Sequence, residues 1–404
     1  MSNALLVQSF SNGFVDGATY YLAPLGAGIN SVTVTGEIEI PIRDAGTFSN
    51  LFVYAPTNTA SVSSTITLHK SRVDTALTVT YEADQTGIKE DTANSVAFAA
   101  TDEAQWEITI PAEAGTNTLT LTLIGCQFAP DTGTNCVFFR GGNGTATISA
   151  ASLTTYSGGG SASFTTSEAI HKFRARLAFT AQDFSAFVTT NARTTDTTFT
   201  TRKNGAPGNQ TVTYSSAQTG YKEDTVNTDS IAVGDDFNFA VTTGTGTGNI
   251  VVRHYTCTGI NTGGQFVLFS GGGVTLVNGV TVYIGIAGGL GNSATEANYQ
   301  IYPRFNFTAK ELGVMVNTNG NGPVTITVRE NGASSGISVT YSAFQTGLKN
   351  DSVNTAEIAL GSDEIDYEVV TGAGTLPNIS WMSVLGETTA VAASASRLSL
   401  LGVG

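Results

Sequence analysis

Charge is scarce in this chain: only 12% of its 404 residues are Asp, Glu, Lys or Arg. The surface must therefore be covered by hydroxyls, amides and backbone, and abundant Thr, Ser, Gly and Asn supply them. Positive charge is scarcer still. The 18 Lys plus Arg are scattered without a run, against 32 Asp plus Glu, for a formal net charge of −14. Nucleic-acid binding draws most of its affinity from clustered cations on phosphates, so this balance argues against it and equally against anionic membrane surfaces. Cysteine is nearly absent. Three in so long a chain do not make a disulfide framework, and Cys126 and Cys257, which close equivalent strands, read as small buried hydrophobes, with a Cys126–Cys136 bridge as the alternative. No segment approaches the roughly 18 apolar residues of a membrane span, and the N-terminus has neither a basic nor an apolar signal region. A Sec signal and a membrane span are therefore not expected.

Catalytic signatures are also missing. No G-x-S-x-G elbow, H-E-x-x-H, P-loop or C-x-x-C occurs. His69, His171 and His254 fall at unrelated strand positions, and His69 aligns with Arg202 and Arg329, a place for an outward polar or basic side chain and not for an imidazole base. No enzyme activity, catalytic residue or cofactor is expected. The acidic turns Asp102-Glu103, Asp235-Asp236 and Asp363-Glu364 resemble calcium ligands only in charge, because the six to eight converging oxygens of a calcium loop are not spaced in the sequence. No metal ligand is assigned.

What the chain does have is one phrase repeated three times without a gap, at intervals of roughly 130 residues, which is the size of a small domain and far beyond a solenoid period. It begins at Tyr81, Tyr214 and Tyr341, and carries Gln85, Gly87, Lys89, Asp91 and Asn94; Gln218, Gly220, Lys222, Asp224 and Asn227; and Gln345, Gly347, Lys349, Asp351 and Asn354. The glycines supply positive φ. Lys and Asp two residues apart in an extended segment share a face and are placed for an ion pair. A structural loop in which Asp, Thr/Ser and Asn satisfy their own backbone accounts for the phrase without a ligand, and a repeated sugar- or ion-binding edge is the alternative.

Around the phrase each copy runs through the same features. An alternating strand (Glu37–Ile42, Phe173–Phe179, Ile301–Phe307) is followed by Phe48–Val53, Phe184–Val188 and Leu312–Val316, then by a Thr-rich strand and a hairpin. The hairpin turns are Asn204-Gly205 and Asn331-Gly332, the pair preferred in type I′ turns, while copy 1 has Ser71-Arg72 and is expected to turn differently. Trp106, Phe239 and Tyr367 share an inward place in a later strand. Helical periodicity and helix-forming composition are absent. The expected class is all-β, three tandem antiparallel sandwiches of jelly-roll type over residues 1–142, 143–273 and 274–404, joined at the Gly-rich stretches 140–144 and 270–273. An immunoglobulin-like sandwich is the runner-up.

The elements Phe48–Val53, Lys203-Asn204-Gly205, Val212–Tyr214, Thr219–Asn227 and Gly234-Asp235 together resemble a domain family of tailed-phage and prophage virion proteins. Copies 1 and 3 depart from Lys-Asn-Gly at Lys70-Ser71-Arg72 and Glu330-Asn331-Gly332. The resemblance implies jelly rolls related in shape to trimeric tumour-necrosis-factor and complement-type heads, without a mapped active site. It implies a virion protein assembled in the host cytoplasm; the three fused copies suggest a pseudo-trimer or short stack, which suits decorating or cementing the capsid through other virion proteins. The alternative is a tail fibre or spike that recognises a host glycan, and a secreted carbohydrate-binding module or glycosidase is a third class.

Overall fold

A computed structural model describes residues 4–24, 38–112, 117–131, 135–141, 146–158, 164–261, 264–289, 291–360, 362–374 and 376–388. Of the features above, Glu37, residues 142–144 of the first joint, and the side chain of Cys136 fall outside the described residues.

The chain is all-β, and its only described helices are the 3-10 turns Glu168–Ile170 and Glu296–Asn298. In the first sandwich, one sheet has Ala4–Val15, Thr118–Pro130, Gly46–Ala55 and Gly87–Phe98 side by side, and the other has Ala18–Leu22, Glu103–Ile110, Ser64–Lys70 and Val73–Tyr81. Counting these eight strands in chain order, the sheets read first–eighth–third–sixth and second–seventh–fourth–fifth. That is the double Greek key of a jelly roll. The same order recurs with Asn135–Gly141, Ile250–Asn261, Phe179–Asn191 and Gly220–Asp224 facing Thr154–Ser157, Asp236–Thr242, Thr197–Lys203 and Ala206–Tyr214. It recurs again with Gln265–Thr275, Asn378–Glu387, Phe307–Thr318 and Gly347–Ile358 facing Thr281–Ile284, Ile365–Thr371, Val324–Glu330 and Ala333–Tyr341.

This pairing corrects the expected joints. Asn135–Gly141 lies before residue 142 yet pairs along Ile250–Asn261 in the second sandwich, and Gln265–Thr275 begins before residue 273 yet pairs along Asn378–Glu387 in the third. The glycines at 270–273 interrupt the register of a first strand, between Gly271 and Val274, instead of linking two bodies. Among the described residues, the first strands of the second and third sandwiches start at Asn135 and Gln265.

Period-two alternation fills each core. Leu77, Val79 and Tyr81 face inward, as do Val212 with Tyr214 and Ile337 and Val339 with Tyr341; Trp106, Phe239 and Tyr367 are fully buried at matching places. Cys126 and Cys257 are buried free thiols. The third strand of each copy carries a bulge at Asn50, Asp183 or Glu311, each with φ near 55°, and a bulge of this kind bends its strand locally.

The first hairpin departs from expectation in an informative way. Ser71 and Arg72 have φ of 48° and 69°, matching Asn204-Gly205 (52°, 79°) and Asn331-Gly332 (52°, 72°), so copy 1 makes the same turn with residues that resist it. Local bonds hold it. The amide of Glu103 donates to Ser71 Oγ (3.2 Å), the Ser71 amide donates to the Glu103 carbonyl (2.7 Å), and Arg72 Nε reaches the buried Glu39 carboxylate (2.9 Å). In the other copies the Asn side chain takes the serine's role, with Asn204 Oδ1 accepting from Asp236 N and Asn331 Oδ1 from Glu364 N. Ser71→Asn should therefore keep the bond, relieve strain at one left-handed position, and stabilise the chain by up to about 1 kcal/mol. A raised denaturant midpoint at unchanged m is the expected readout, and a lowered midpoint contradicts the account.

Candidate functional site

The repeated phrase folds into one internally bonded unit per copy. Tyr81 Oη donates toward the carbonyls of Val53 (2.8 Å) and Gly87 (2.9 Å), Tyr214 toward Ala186 (2.5 Å) and Gly220 (2.9 Å), and Tyr341 toward Val314 (2.6 Å) and Gly347 (3.0 Å). Burial pushes all three phenols far above the ordinary tyrosine range. Gln85, Gln218 and Gln345 each close the following turn by accepting a backbone N–H from Glu82, Ser215 or Ser342. Gly87, Gly220 and Gly347 have φ of 91°, 97° and 95°, with open space where a Cβ would be, so conformation and not crowding selects glycine.

Asp91, Asp224 and Asp351 are consumed in the same way. Each accepts from the side chain of Asn94, Asn227 or Asn354 and from backbone amides on the neighbouring strand at Thr78, Thr211 or Ser338. Burial works to raise these carboxyls, and the donated bonds outweigh it and hold them below the usual range. In the second and third copies the lysine does not make the expected Lys–Asp ion pair. Lys222 and Lys349 bond to the carbonyls of Thr213 (2.6 Å) and Thr340 (2.5 Å) and lie over the rings of Tyr214 and Tyr341. An extended segment does place Lys and Asp on one face, but the aspartate is taken by amides and the lysine by the adjacent strand end.

The acidic turns are caps. Asp102, Asp235 and Asp363 accept the amides of Ala99 (2.6 Å), Ala232 (2.8 Å) and Ala359 (2.5 Å), and Asp235 and Asp363 also accept from Asn204 and Asn331. The Asn204 bond, the Ala232 amide and Lys203 together draw the Asp235 carboxyl down to about 2. Their oxygens point into the turn, not toward a shared centre.

The sequence reading missed three arginines at one repeated position, three residues before the start of the third strand. Arg43 of the first sandwich pairs with Glu223 of the second and bonds Tyr221 Oη (3.1 Å). Arg304 of the third pairs with Glu90 of the first (2.5 Å) over the ring of Phe52. Arg176 of the second lies against Gly313 of the third, close to Glu311. Glu90, Glu223 and Asn350 are the cross-strand partners of Phe52, Ser185 and Gly313, so the three contacts use one position and run first to second, second to third, and third to first. One seam lacks its acid. Where Glu90 and Glu223 stand, the third copy has Asn350, and Arg176 Nε and Nη2 have no hydrogen-bond partner among the described residues. Burial holds this guanidinium below the usual arginine range. Apolar contacts accompany the arginines: Val7, Phe52 and Leu123 join the buried cluster of the third sandwich, Leu385 joins that of the second, and Phe173 packs on Phe269 and Trp381.

A second repeated position is polar and fully buried on the seventh strand: Gln105, Asn238 and Asp366, opposite His69, Arg202 and Arg329. Neither oxygen of Asp366 has a hydrogen-bond partner among the described residues. Burial, then the nearby Glu296, lifts its carboxyl from 3.8 to about 8, against the pull of Arg329.

No family model and no curated protein matches this chain. Among solved structures it is similar to one described as the triple jelly roll fold and turret assembly in an archaeal virus, at 15% identity over 94% of this chain and 90% of that one, with a TM-score of 0.20. It is also similar to a Paenibacillus xanthan lyase, at 12% identity over 68% of this chain and 30% of that one, with a TM-score of 0.18. At such scores neither likeness bears on what this chain does.

Asp366 provides a test of the buried polar position. Its folded pKa is raised, so between 3.8 and about 8 the native state holds a proton that the unfolded chain has released, and stability falls as pH rises through that window. Asp366→Asn, which installs the residue of the second copy, should change little near pH 4 and stabilise increasingly toward pH 8, by at most about 1.4 kcal/mol per pH unit. Thermal unfolding of both proteins across pH 4–9 checks it, and a gain independent of pH removes the explanation.

Proposed function

We propose that this chain is a non-enzymatic structural protein of a tailed-phage virion, one that decorates or cements the capsid. Its three jelly rolls form a single-chain pseudo-trimer, and its partners are other virion proteins. The observation that carries the reading is the cyclic order of the arginine contacts, in which Arg43, Arg176 and Arg304 each lean on the next copy and the third returns to the first. A heterologous contact that closes after three steps builds a ring, and a body with three-fold pseudo-symmetry matches the local three-fold positions of an icosahedral shell. Further support comes from the polar groups of the repeated loops and acidic turns, which are spent on the fold itself. The outward apolar tips Val226, Val353 and Phe344 leave surface for contact with neighbouring proteins.

Labelled antibody on purified particles, combined with deletion of the coding segment, tests the assignment. Label on heads, together with heads that lose their contents at lower temperature after deletion, is expected. Label on tails with failed adsorption and intact head stability overturns it in favour of glycan-recognising attachment.

The seams make a separate prediction about the body itself. Asn350→Glu places a carboxylate opposite Arg176 where Glu90 and Glu223 stand opposite Arg304 and Arg43, and should stabilise by about 0.5–1 kcal/mol, the range of a part-exposed ion pair. Glu90→Gln should destabilise by a similar amount at low salt and by less at high salt. A loss of stability in Asn350→Glu contradicts the equivalence of the three seams.

A further inference from the structure

The first sandwich contains a trio that the other two do not. His69 and Asp74 face each other across the hairpin formed by Ser64–Lys70 and Val73–Tyr81, and Glu107 stands on the neighbouring strand Glu103–Ile110. His69 Nε2 lies 2.6 Å from Asp74 Oδ1 and 3.0 Å from Glu107 Oε2, and the three ligand atoms all lie within 4.8 Å of one another. The histidine is 4% exposed, yet its Nε2 makes no hydrogen bond of acceptable geometry with either carboxylate. A buried nitrogen thus faces two carboxylate oxygens at ion-pair distance, with neither aligned for a hydrogen bond.

The equivalent positions show how the fold handles the same place without the trio. Histidine is replaced by Arg202 and Arg329, whose guanidinium groups carry their own charge to Glu168 (2.7 Å) and Glu296 (2.7 Å). Asp74 is replaced by Pro207 and Ser334, and Glu107 by Ala240 and Glu368. In the first copy a permanent cation has been lost and a carboxylate added at the residue directly across from it. A metal cation bound at Nε2 would sit between these two carboxylates and balance their charge.

We propose that His69, Asp74 and Glu107 bind a borderline divalent cation of the zinc type. One imidazole nitrogen and two carboxylate oxygens match the ligand preferences of Zn²⁺, with solvent completing the fourth position. Tetrahedral zinc at about 2.0–2.1 Å sets its ligands roughly 3.3 Å apart, so the trio opens by a fraction of an ångström to take the ion. The exposed member is Asp74, whose side chain is 74% exposed on the hairpin, so an ion reaches the trio from solvent on that side. The other members are braced. Gln105 Nε2 stands 3.4 Å from His69 Nδ1, and Thr109 Oγ1 donates to Glu107 Oε1 (3.0 Å). Such outer contacts orient metal ligands. Lys70 does not compete, since it is paired with Asp102 (3.0 Å). A metal here clamps the hairpin to the seventh strand, the task that Arg329 performs by reaching both Glu296 and Glu368 in the third copy.

The test is calorimetric and thermal titration of the full chain, stripped with chelator, with ZnCl₂ and separately with MgCl₂. One zinc per chain and a raised unfolding temperature are expected, with no response to magnesium. Asp74→Ser and His69→Arg each install a residue that another copy carries in the same place, so both should fold, and each should weaken zinc binding by more than about tenfold. Absence of zinc uptake overturns the proposal. Equal affinity in wild type and Asp74→Ser also overturns it, by placing the metal on other surface carboxylates. If His69→Arg fails to fold, Asp74→Ser alone decides.

Discussion

Each sandwich depends on one buried hydroxyl. Tyr81, Tyr214 and Tyr341 end the edge strand of one sheet, and their phenols reach across the core to a carbonyl of the third strand and the carbonyl of the first residue of the sixth, both in the opposite sheet. The ring fills core volume and the hydroxyl fixes how far apart and at what offset the sheets stand. A buried carbonyl stripped of its donor costs about 1–3 kcal/mol, so the bond resists substitution more than it adds net stability. The rest of the phrase follows from holding that tyrosine in place: glutamine closes the turn after it, glycine takes the φ that returns the chain to the other sheet, and aspartate ties the new strand back to the old one through Thr78, Thr211 or Ser338.

The contacts between copies have a different chemistry. Within a sandwich, the repeated phrase is satisfied by amides and hydroxyls, and ion pairs tie down hairpins and turns, as Arg72 does with Glu39 and Arg329 with Glu296. Between sandwiches, a chain with few cations spends three of its arginines at one repeated position. A long side chain with a planar head can lie along an apolar surface, as Arg304 does over Phe52, while still reaching an acid beyond it. A lysine would offer a point charge without the flat face, and a hydrophobe would fill the space without fixing the angle between neighbours.

Sequence patterns carried the fold class because strand alternation and turn chemistry are local. Leu77, Val79 and Tyr81 are separated by single residues, and the burial of all three follows from that spacing. The joints were not legible for the opposite reason. Asn135–Gly141 finds its partner in Ile250–Asn261, more than a hundred residues on, and a glycine run reads the same whether it links two bodies or kinks one strand. Lys222 and Asp224 illustrate another limit: spacing tells which residues share a face, and competition from backbone groups, which only the assembled sheets reveal, decides which of them bond. Positive φ at Ser71 and Arg72 was hidden because their support comes from Glu39 and Glu103, both distant in sequence. The arginines and the His69 trio did leave a signal. Aligning the copies by strand, and not only by the phrase, puts Arg43, Arg176 and Arg304 in one column and exposes Asp74 against Pro207 and Ser334.

Fusion of the copies explains why those columns differ at all. In an assembly of three identical chains, a substitution at a seam appears in every seam, and losing the acid opposite one arginine means losing it opposite all three. A single chain removes that constraint, so Asn350 can replace a carboxylate at one seam while Glu90 and Glu223 remain at the others. The same freedom lets one hairpin exchange arginine for histidine and gain an aspartate, and lets Asp366 stand where Gln105 and Asn238 do in the other copies. The tyrosine phrase, by contrast, is nearly uniform. Its bonds lie inside each sandwich, where a change is felt by the whole local fold and no neighbour can compensate. Uniformity inside and divergence at the seams and hairpins are what separate selection on folding from selection on contact predicts for three bodies in one chain.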